Sequence, residues 1–289
     1  MQIIENDFLK AAFKAKGAEL SSLQHKETGV EYIWQADPAF WGKHSPVLFP
    51  IVGTPRSDSF IFRDKEYHLG RHGFARDMDF SIEESKRDSI KFRLDASVST
   101  LIKFPFKFSF EIAYTLLNNS LKVTYSVVNT GDNEMYFSVG GHPAFQVPLE
   151  VGLSYEDYYL EFNECEDAGR WPISVQGLIE KSPVPFFNNT NKIQLTKPLF
   201  YQDALVFKHL RSSVVNLRSE KGSAGIRFDF SGFPYLGIWA AKDANFVCIE
   251  PWCGIADSVD TNSQIIAKEG INRLAVGEIF NRSWTIECY

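Results

Sequence analysis

Three short segments of the sequence carry side chains suited to moving protons. Arg71-His72-Gly73-Phe74-Ala75-Arg76-Asp77 sets a histidine between two arginines. Gly140-Gly141-His142-Pro143-Ala144-Phe145 sets a second histidine between a glycine pair and a proline. Ile249-Glu250-Pro251-Trp252-Cys253-Gly254 sets a glutamate after the apolar run Phe246–Ile249. Histidine titrates near neutral pH unaided, and a carboxyl withdrawn from water rises towards the same range. Two imidazoles and one carboxylate are therefore a sufficient kit for general acid/base catalysis. Each residue also has a plainer reading. His72 fits a hydrogen-bonded surface residue, and Glu250 fits a structural ion pair. His142 is harder to explain as structure alone, because Gly-Gly-His-Pro is poor strand material. His25, His44, His68 and His209 have no comparable surroundings and read as structural or surface residues.

Other chemistries lack their residues. There is no G-x-x-x-x-G-K-[ST], no G-x-G-x-x-G after a strand and no G-x-S-x-G, so nucleotide cradles and a serine-hydrolase elbow have no support. H-E-x-x-H and similarly dense His/Cys/carboxylate runs are also missing, and no metal or cofactor is expected. Cys248 and Cys253 lie five apart without further ligands close by in sequence, and read as small core residues. With Cys165 and Cys288 they are sparse and unpatterned, which suits reduced thiols in a cytosol. On that reading the Asn-x-Ser/Thr matches at Asn118, Asn188 and Asn281 arise by chance. The start, Met1 to Asp7, is acidic where a signal peptide would be basic and then apolar.

The elements that must position these groups are strands. Ile90, Phe92, Leu94 and Ala96 alternate with polar residues, as do Phe108, Phe110, Ile112, Tyr114 and Leu116, and then Leu121, Val123, Tyr125 and Val127. The last two runs flank Leu117-Asn118-Asn119-Ser120, which predicts an antiparallel hairpin. Phe60-Ile61-Phe62 and Tyr67-His68-Leu69 flank Arg63-Asp64-Lys65-Glu66, a shorter one. Later strands are expected at Val214–Leu217, Gly225–Phe230, Leu236–Ala241, Phe246–Ile249 and Trp284–Cys288. Short helices are expected near Pro38–Lys43 and Ser99–Lys103, and Trp171–Pro185 reads as a long surface loop. More than a dozen short strands without alternating long helices predict an all-β protein, one large antiparallel β-sandwich forming a single domain over residues 1–289.

Composition agrees with that class. The 289 residues include 25 Phe, 11 Tyr and 6 Trp, and aromatics suit pleated, half-buried surfaces. The formal charge of −6 argues against nucleic acid or an anionic membrane as partner, and no apolar run approaches a membrane span.

Several segments, in order along the chain, resemble the aldose 1-epimerase (galactose mutarotase-like) family, and most of all its bacterial LacX-type branch. They are Gly17–Leu23, Glu31–Trp34, Pro46–Gly53, Arg71–Asp77, Phe104–Phe108, Gly141–Phe145 and Ile249–Trp252. The resemblance implies a large β-sandwich of the supersandwich type that interconverts the α and β anomers of a free aldose. By that resemblance Glu250 takes the proton of the anomeric hydroxyl, His142 protonates the ring oxygen, and His72 hydrogen-bonds the sugar near that oxygen. It likewise assigns Arg56 to substrate binding and Asp203, in Tyr201–Phe207, to the sugar hydroxyls. Mutarotation needs no redox cofactor, nucleophile or metal, in keeping with the missing motifs. Trp34, Trp41 and Trp252 are candidates to stack on the apolar face of a sugar, although for any one of them a place in the core is the favoured reading.

A hexose-6-phosphate mutarotase is the nearest alternative, because that branch also carries a His-Gly-Phe-Ala-Arg segment. Arg71 and Arg76 would then join Arg56 around a phosphate, unless they form ion pairs with Asp58, Asp77 or Asp79. A non-catalytic sugar-binding or regulatory protein on the same fold is a second alternative. The expected partner is a small sugar or sugar phosphate, with no nucleic acid and no membrane. The chain itself is expected to be a cytoplasmic monomer or homodimer.

Overall fold

Alternating burial along Phe108–Leu117 and Ser120–Asn129 shows the period of two at work, with one face inward and one facing water. A computed structural model describes residues 1–289. Nine strands make one antiparallel sheet. Their spatial order is Thr190–Gln194, Tyr158–Glu166, Val214–Ser219, Ile226–Asp229, Ile279–Cys288, Ser120–Asn129, Phe108–Leu117, Ser89–Asp95 and Ser81–Ser85. A second sheet runs Leu205–Lys208, Tyr235–Trp239, Phe246–Cys253, Val139–Gly141 and Val47–Leu48, with Ala144–Gln146 also paired to Phe246–Cys253. Phe145 of the second sheet meets Phe228 of the first at 5.8 Å, and one cluster of buried residues from Ile4 to Cys288 fills the space between them. The aromatic excess is mostly spent here. Phe49 alone packs on Phe104, Phe108, Phe110 and Phe137. The fold is an all-β sandwich, as the alternation predicts.

Local expectations fare unevenly. The long hairpin turns through Asn118-Asn119, with Asn118 at φ +52°, and Leu117 faces Ser120. The shorter one is tighter than the sequence suggests. Lys65 and Glu66 belong to its second strand, and the turn is only Arg63-Asp64, both at positive φ as a primed turn requires. Ser97 caps a helix at Val98–Lys103. Pro38–Lys43 is a turn rather than a helix, held by Phe40 and Trp41 donating to the Asp37 carbonyl and going no further. The strand expected to stop at Ile249 runs on to Cys253, with every side chain from Phe246 to Cys253 buried. No helix is long and apolar enough to cross a membrane.

Candidate functional site

Register builds the centre of the site. Val139–Gly141 pairs with the Phe246–Cys253 strand through Gly140 opposite Trp252, and Ala144–Gln146 continues on the same strand through Ala144 opposite Cys248. His142 and Pro143 fall in the gap, so His142 lies across from Glu250 on the same face of the sheet. Its Nε2 is 3.2 Å from Glu250 Oε2. Backbone bonds pin the gap, His142 N–H to the Pro46 carbonyl at 3.1 Å and Ala144 N–H to the His44 carbonyl at 2.9 Å. His44 and Ser45 in turn donate their N–H groups to Glu19. On the other side of Glu250 the register partner is Gly237, where a Cβ would come within 2.4 Å of the Trp252 ring. A glycine is needed there for Trp252 to lie across the sheet.

A loop brings the second histidine. The chain after the Lys65–His68 strand reverses through His72 and Gly73, both at positive φ. His72 and Gly53 are tied twice, His72 N–H to the Gly53 carbonyl at 2.9 Å and Gly53 N–H to His72 Nδ1 at 3.1 Å. The second bond fixes the neutral tautomer, since an accepting Nδ1 leaves the proton on Nε2. The two imidazoles meet edge to face at 5.7 Å. Beside them Arg71 Nε donates to Thr54 Oγ1 at 2.7 Å, and Arg76 donates to the Arg71 carbonyl at 3.0 Å. Arg76 also lies 3.6 Å from Asp77, whereas Arg71 pairs with no carboxylate. Of the ion pairs considered for the two arginines, only this one forms.

These groups share a cavity of about 510 Å³, within the ~300–1,000 Å³ of ordinary small-molecule sites. Glu250, His142, His72, Arg71, Arg76, Asp203 and Trp252 all face it. Arg56 does not, and this corrects its expected role. Its guanidinium turns away to the carbonyls of Val259 and Thr261. The basic side chains at the cavity are instead Arg71 and Arg76.

The wall includes Trp41, one of the stacking candidates, together with residues the sequence did not mark. Trp41 stacks on His142 at 5.0 Å with 28° between planes, and Trp239 meets the same ring edge-on at 5.7 Å. Trp34 is core, packed on Phe246 at 4.9 Å. The 171–185 loop is more than surface, since Ile173, Gly177 and Ile179 close one side of the cavity. Gly177 is at φ +79°, and a Cβ there would lie 2.2 Å from Arg71 Nη2, so the guanidinium lies directly across it. Nothing local in sequence marks Trp239, Ile173, Gly177 or Ile179; only the folded chain brings them to the cavity.

Burial sets the protonation of the centre. Desolvation pushes the Glu250 carboxyl well above the ordinary carboxylate range; the Trp252 indole opposes this, Asp203 adds to it and Arg71 opposes it. Desolvation, with repulsion from Arg76 and Arg71, pushes His142 down to about 3. His72 is also held well below its usual value, first by burial and then by His142, Arg76 and Arg71. The low-charge arrangement is thus one proton held between Glu250 and His142, with His72 neutral.

Known proteins resemble this chain over most of its length. The family model described as Aldose 1-epimerase matches residues 1–264. Protein LacX (chromosomal) of Lactococcus lactis subsp. lactis is 34% identical over 98% of this chain and 97% of its own length. A crystal structure of a galactose mutarotase related enzyme from Lactobacillus acidophilus superposes with a TM-score of 0.95 at 38% identity, covering 100% of this chain and 97% of the other. A galactose mutarotase-like protein from Lactobacillus casei ATCC 334 gives 0.89 at 32% identity, with both chains covered completely. Fold and sequence match together over nearly the whole length, and the chain belongs to the aldose 1-epimerase family.

Proposed function

We propose that the protein catalyses mutarotation of an aldohexose by general acid/base ring opening and reclosure. The observation that carries this reading is the buried Glu250–His142 pair at 3.2 Å facing a sugar-sized cavity. Glu250 accepts the proton of the anomeric hydroxyl as the C1–ring-oxygen bond breaks, and His142 delivers a proton to the ring oxygen. The aldehyde then rotates about C1–C2, and the same groups exchange roles as the ring closes on the other face. Only one proton is needed between them. The resting form, carboxylic acid with neutral imidazole, and the working form, carboxylate with imidazolium, differ by one transfer across that contact. Sugar hydroxyls entering the site favour the charge-separated form by hydrogen-bonding it. His72 presents Nε2–H towards the same space and supports the ring oxygen without changing its own protonation. Asp203 is suited to accept from sugar hydroxyls, and Trp252, Trp41 and Trp239 to cover the apolar C–H face.

The pH dependence follows from the shifted groups. A second proton enters the pair only when His142 titrates, and that lies at about 3. The catalysed kcat/KM is therefore expected to show no acid limb as pH falls through the ordinary histidine range, after subtraction of the spontaneous rate. An acid limb centred near ~6.5, the value of an unperturbed imidazole, would show that a solvated histidine does the work.

A phosphorylated hexose is a second reading, and Arg71 favours it. Its guanidinium has no carboxylate partner and shares the cavity with Arg76, as bidentate recognition of phosphate requires. Anomer exchange followed by NMR for glucose, galactose and glucose 6-phosphate tests both. Under the free-aldose reading, Arg71→Met leaves turnover of glucose or galactose within about threefold. Under the phosphate reading, only glucose 6-phosphate is accelerated, and Arg71→Met costs it at least ~10-fold, the scale of one charge-assisted bond. No acceleration of any sugar would leave binding without catalysis.

A further inference from the structure

We propose that Cys248, His142 and Glu250 form an inhibitory site for a divalent cation of the Zn2+ type, with one coordination position open to the sugar cavity. Inhibition rests on the catalytic reading above, whereas binding of the ion does not. Cys248 and Glu250 are two apart on one strand and so share a face, and His142 is the cross-strand neighbour of Glu250. One donor atom from each of the three lies within 4.8 Å of the others. The His142–Glu250 contact of 3.2 Å already matches the edge of a tetrahedron with Zn–N and Zn–O bonds of ~2.0–2.2 Å, and the thiol reaches its place with a shift of about 1 Å.

Charge and donor type favour the same ion. A thiolate, a carboxylate and a neutral imidazole cancel a double positive charge, which a buried site requires. Glu250 is only 2% exposed, and its Oε2 makes no polar contact other than the His142 imidazole at 3.2 Å. The sulfur selects Zn2+ or Cd2+ over Mg2+ or Ca2+, which prefer all-oxygen shells. On binding, the thiol proton and the proton shared by the acid/base pair leave to solvent, and sulfur, oxygen and nitrogen lone pairs fill three metal positions. The ion enters through the cavity, which His142 and Glu250 line. The bound ion occupies both proton-transfer groups. Cys248 otherwise has no part in the proposed chemistry.

The test uses the whole protein with the exposed Cys165 changed to Ser, to remove a competing thiol. Cd2+ is titrated while the sulfur-to-metal charge-transfer absorption is followed, and Zn2+ is titrated in the mutarotation assay. The expected result is one Cd2+ per chain, loss of mutarotation with Zn2+, relief by EDTA and competition by sugar. Cys248→Ala should keep the metal-free rate, lose the absorption band and need at least ~10-fold more Zn2+ for equal inhibition, as expected for one of three ligands. Cys248→Ser, which keeps the side-chain size, should also lose the band. Cys253→Ala, buried but outside the cluster, should behave as the parent. A missing band in the parent, or a band and inhibition unchanged by the Cys248 substitutions, overturns the site. A Cd2+ band through Cys248 in a protein that turns over no sugar supports the site and rejects the catalytic reading instead.

Discussion

Glu250→Gln is expected to lower kcat for anomer exchange by at least ~100-fold, the lower end of what one positioned proton acceptor supplies. The substitution is nearly isosteric, and the amide carbonyl has negligible basicity, so binding is retained while proton uptake is lost. His142→Asn should cost a similar factor by removing the donor to the ring oxygen. The double variant should be little worse than either single one, because each alone already breaks a transfer that works only as a pair. Folding should be spared. The resting Glu250 carboxyl is already protonated and neutral, so an amide of nearly the same shape adds no buried charge and keeps a polar group beside His142. Near-wild-type turnover in either single variant, measured by NMR line exchange with thermal unfolding in parallel, would overturn the assigned roles.

The reason these two residues were legible before the fold is that each sits in a segment whose composition makes poor structure. Gly-Gly-His-Pro weakens a strand, and a glutamate inside an apolar run asks for a partner. What the sequence obscured was direction. Glu250 reads as the residue that ends a strand, yet it sits inside one, because the outer face of that sheet is a cavity rather than water. Arg56 follows a recognisable turn, but nothing in that turn shows that its guanidinium meets the Val259 and Thr261 carbonyls from a distant part of the chain. The three N-terminal strands, Gln2–Glu5, Leu9–Lys14 and Glu19–His25, were not anticipated, since Ala11, Ala12 and Phe13 are buried in succession and break the alternation. Trp239 and Gly177 reach the site from distant parts of the chain, and no local pattern announces such meetings. Cys248 is the intermediate case. Its spacing from Glu250 places both on one face, but only once that stretch is known to be a strand.

Lys268→Met is expected to destabilise the protein by about 3–5 kcal/mol, the usual cost of leaving one member of a buried ion pair alone, and to weaken sugar binding as well. Lys268 Nζ is 2.6 Å from Asp257 Oδ1, with the side chains only 6% and 4% exposed. Asp257 also accepts the Arg56 N–H at 2.9 Å through its other oxygen, and its own N–H donates to the Thr54 carbonyl at 3.0 Å. Thr54 holds Arg71, and its neighbour Gly53 holds His72. The Arg56 guanidinium on Val259 and Thr261 clamps the same two segments together. The pair therefore supports the loop side of the cavity, whereas Glu250 and His142 stand on the sheet and do not depend on it. Loss of Lys268 should accordingly raise KM several-fold more than it lowers kcat. Adding Asp257→Asn keeps an acceptor for Arg56 but removes the stranded carboxylate, and should recover at least half of the lost stability in urea titrations without restoring KM. A destabilised Lys268→Met with unchanged KM would show that the pair holds the fold but not the site, and a kcat loss as large as that of Glu250→Gln would show that sheet and loop are not independent supports.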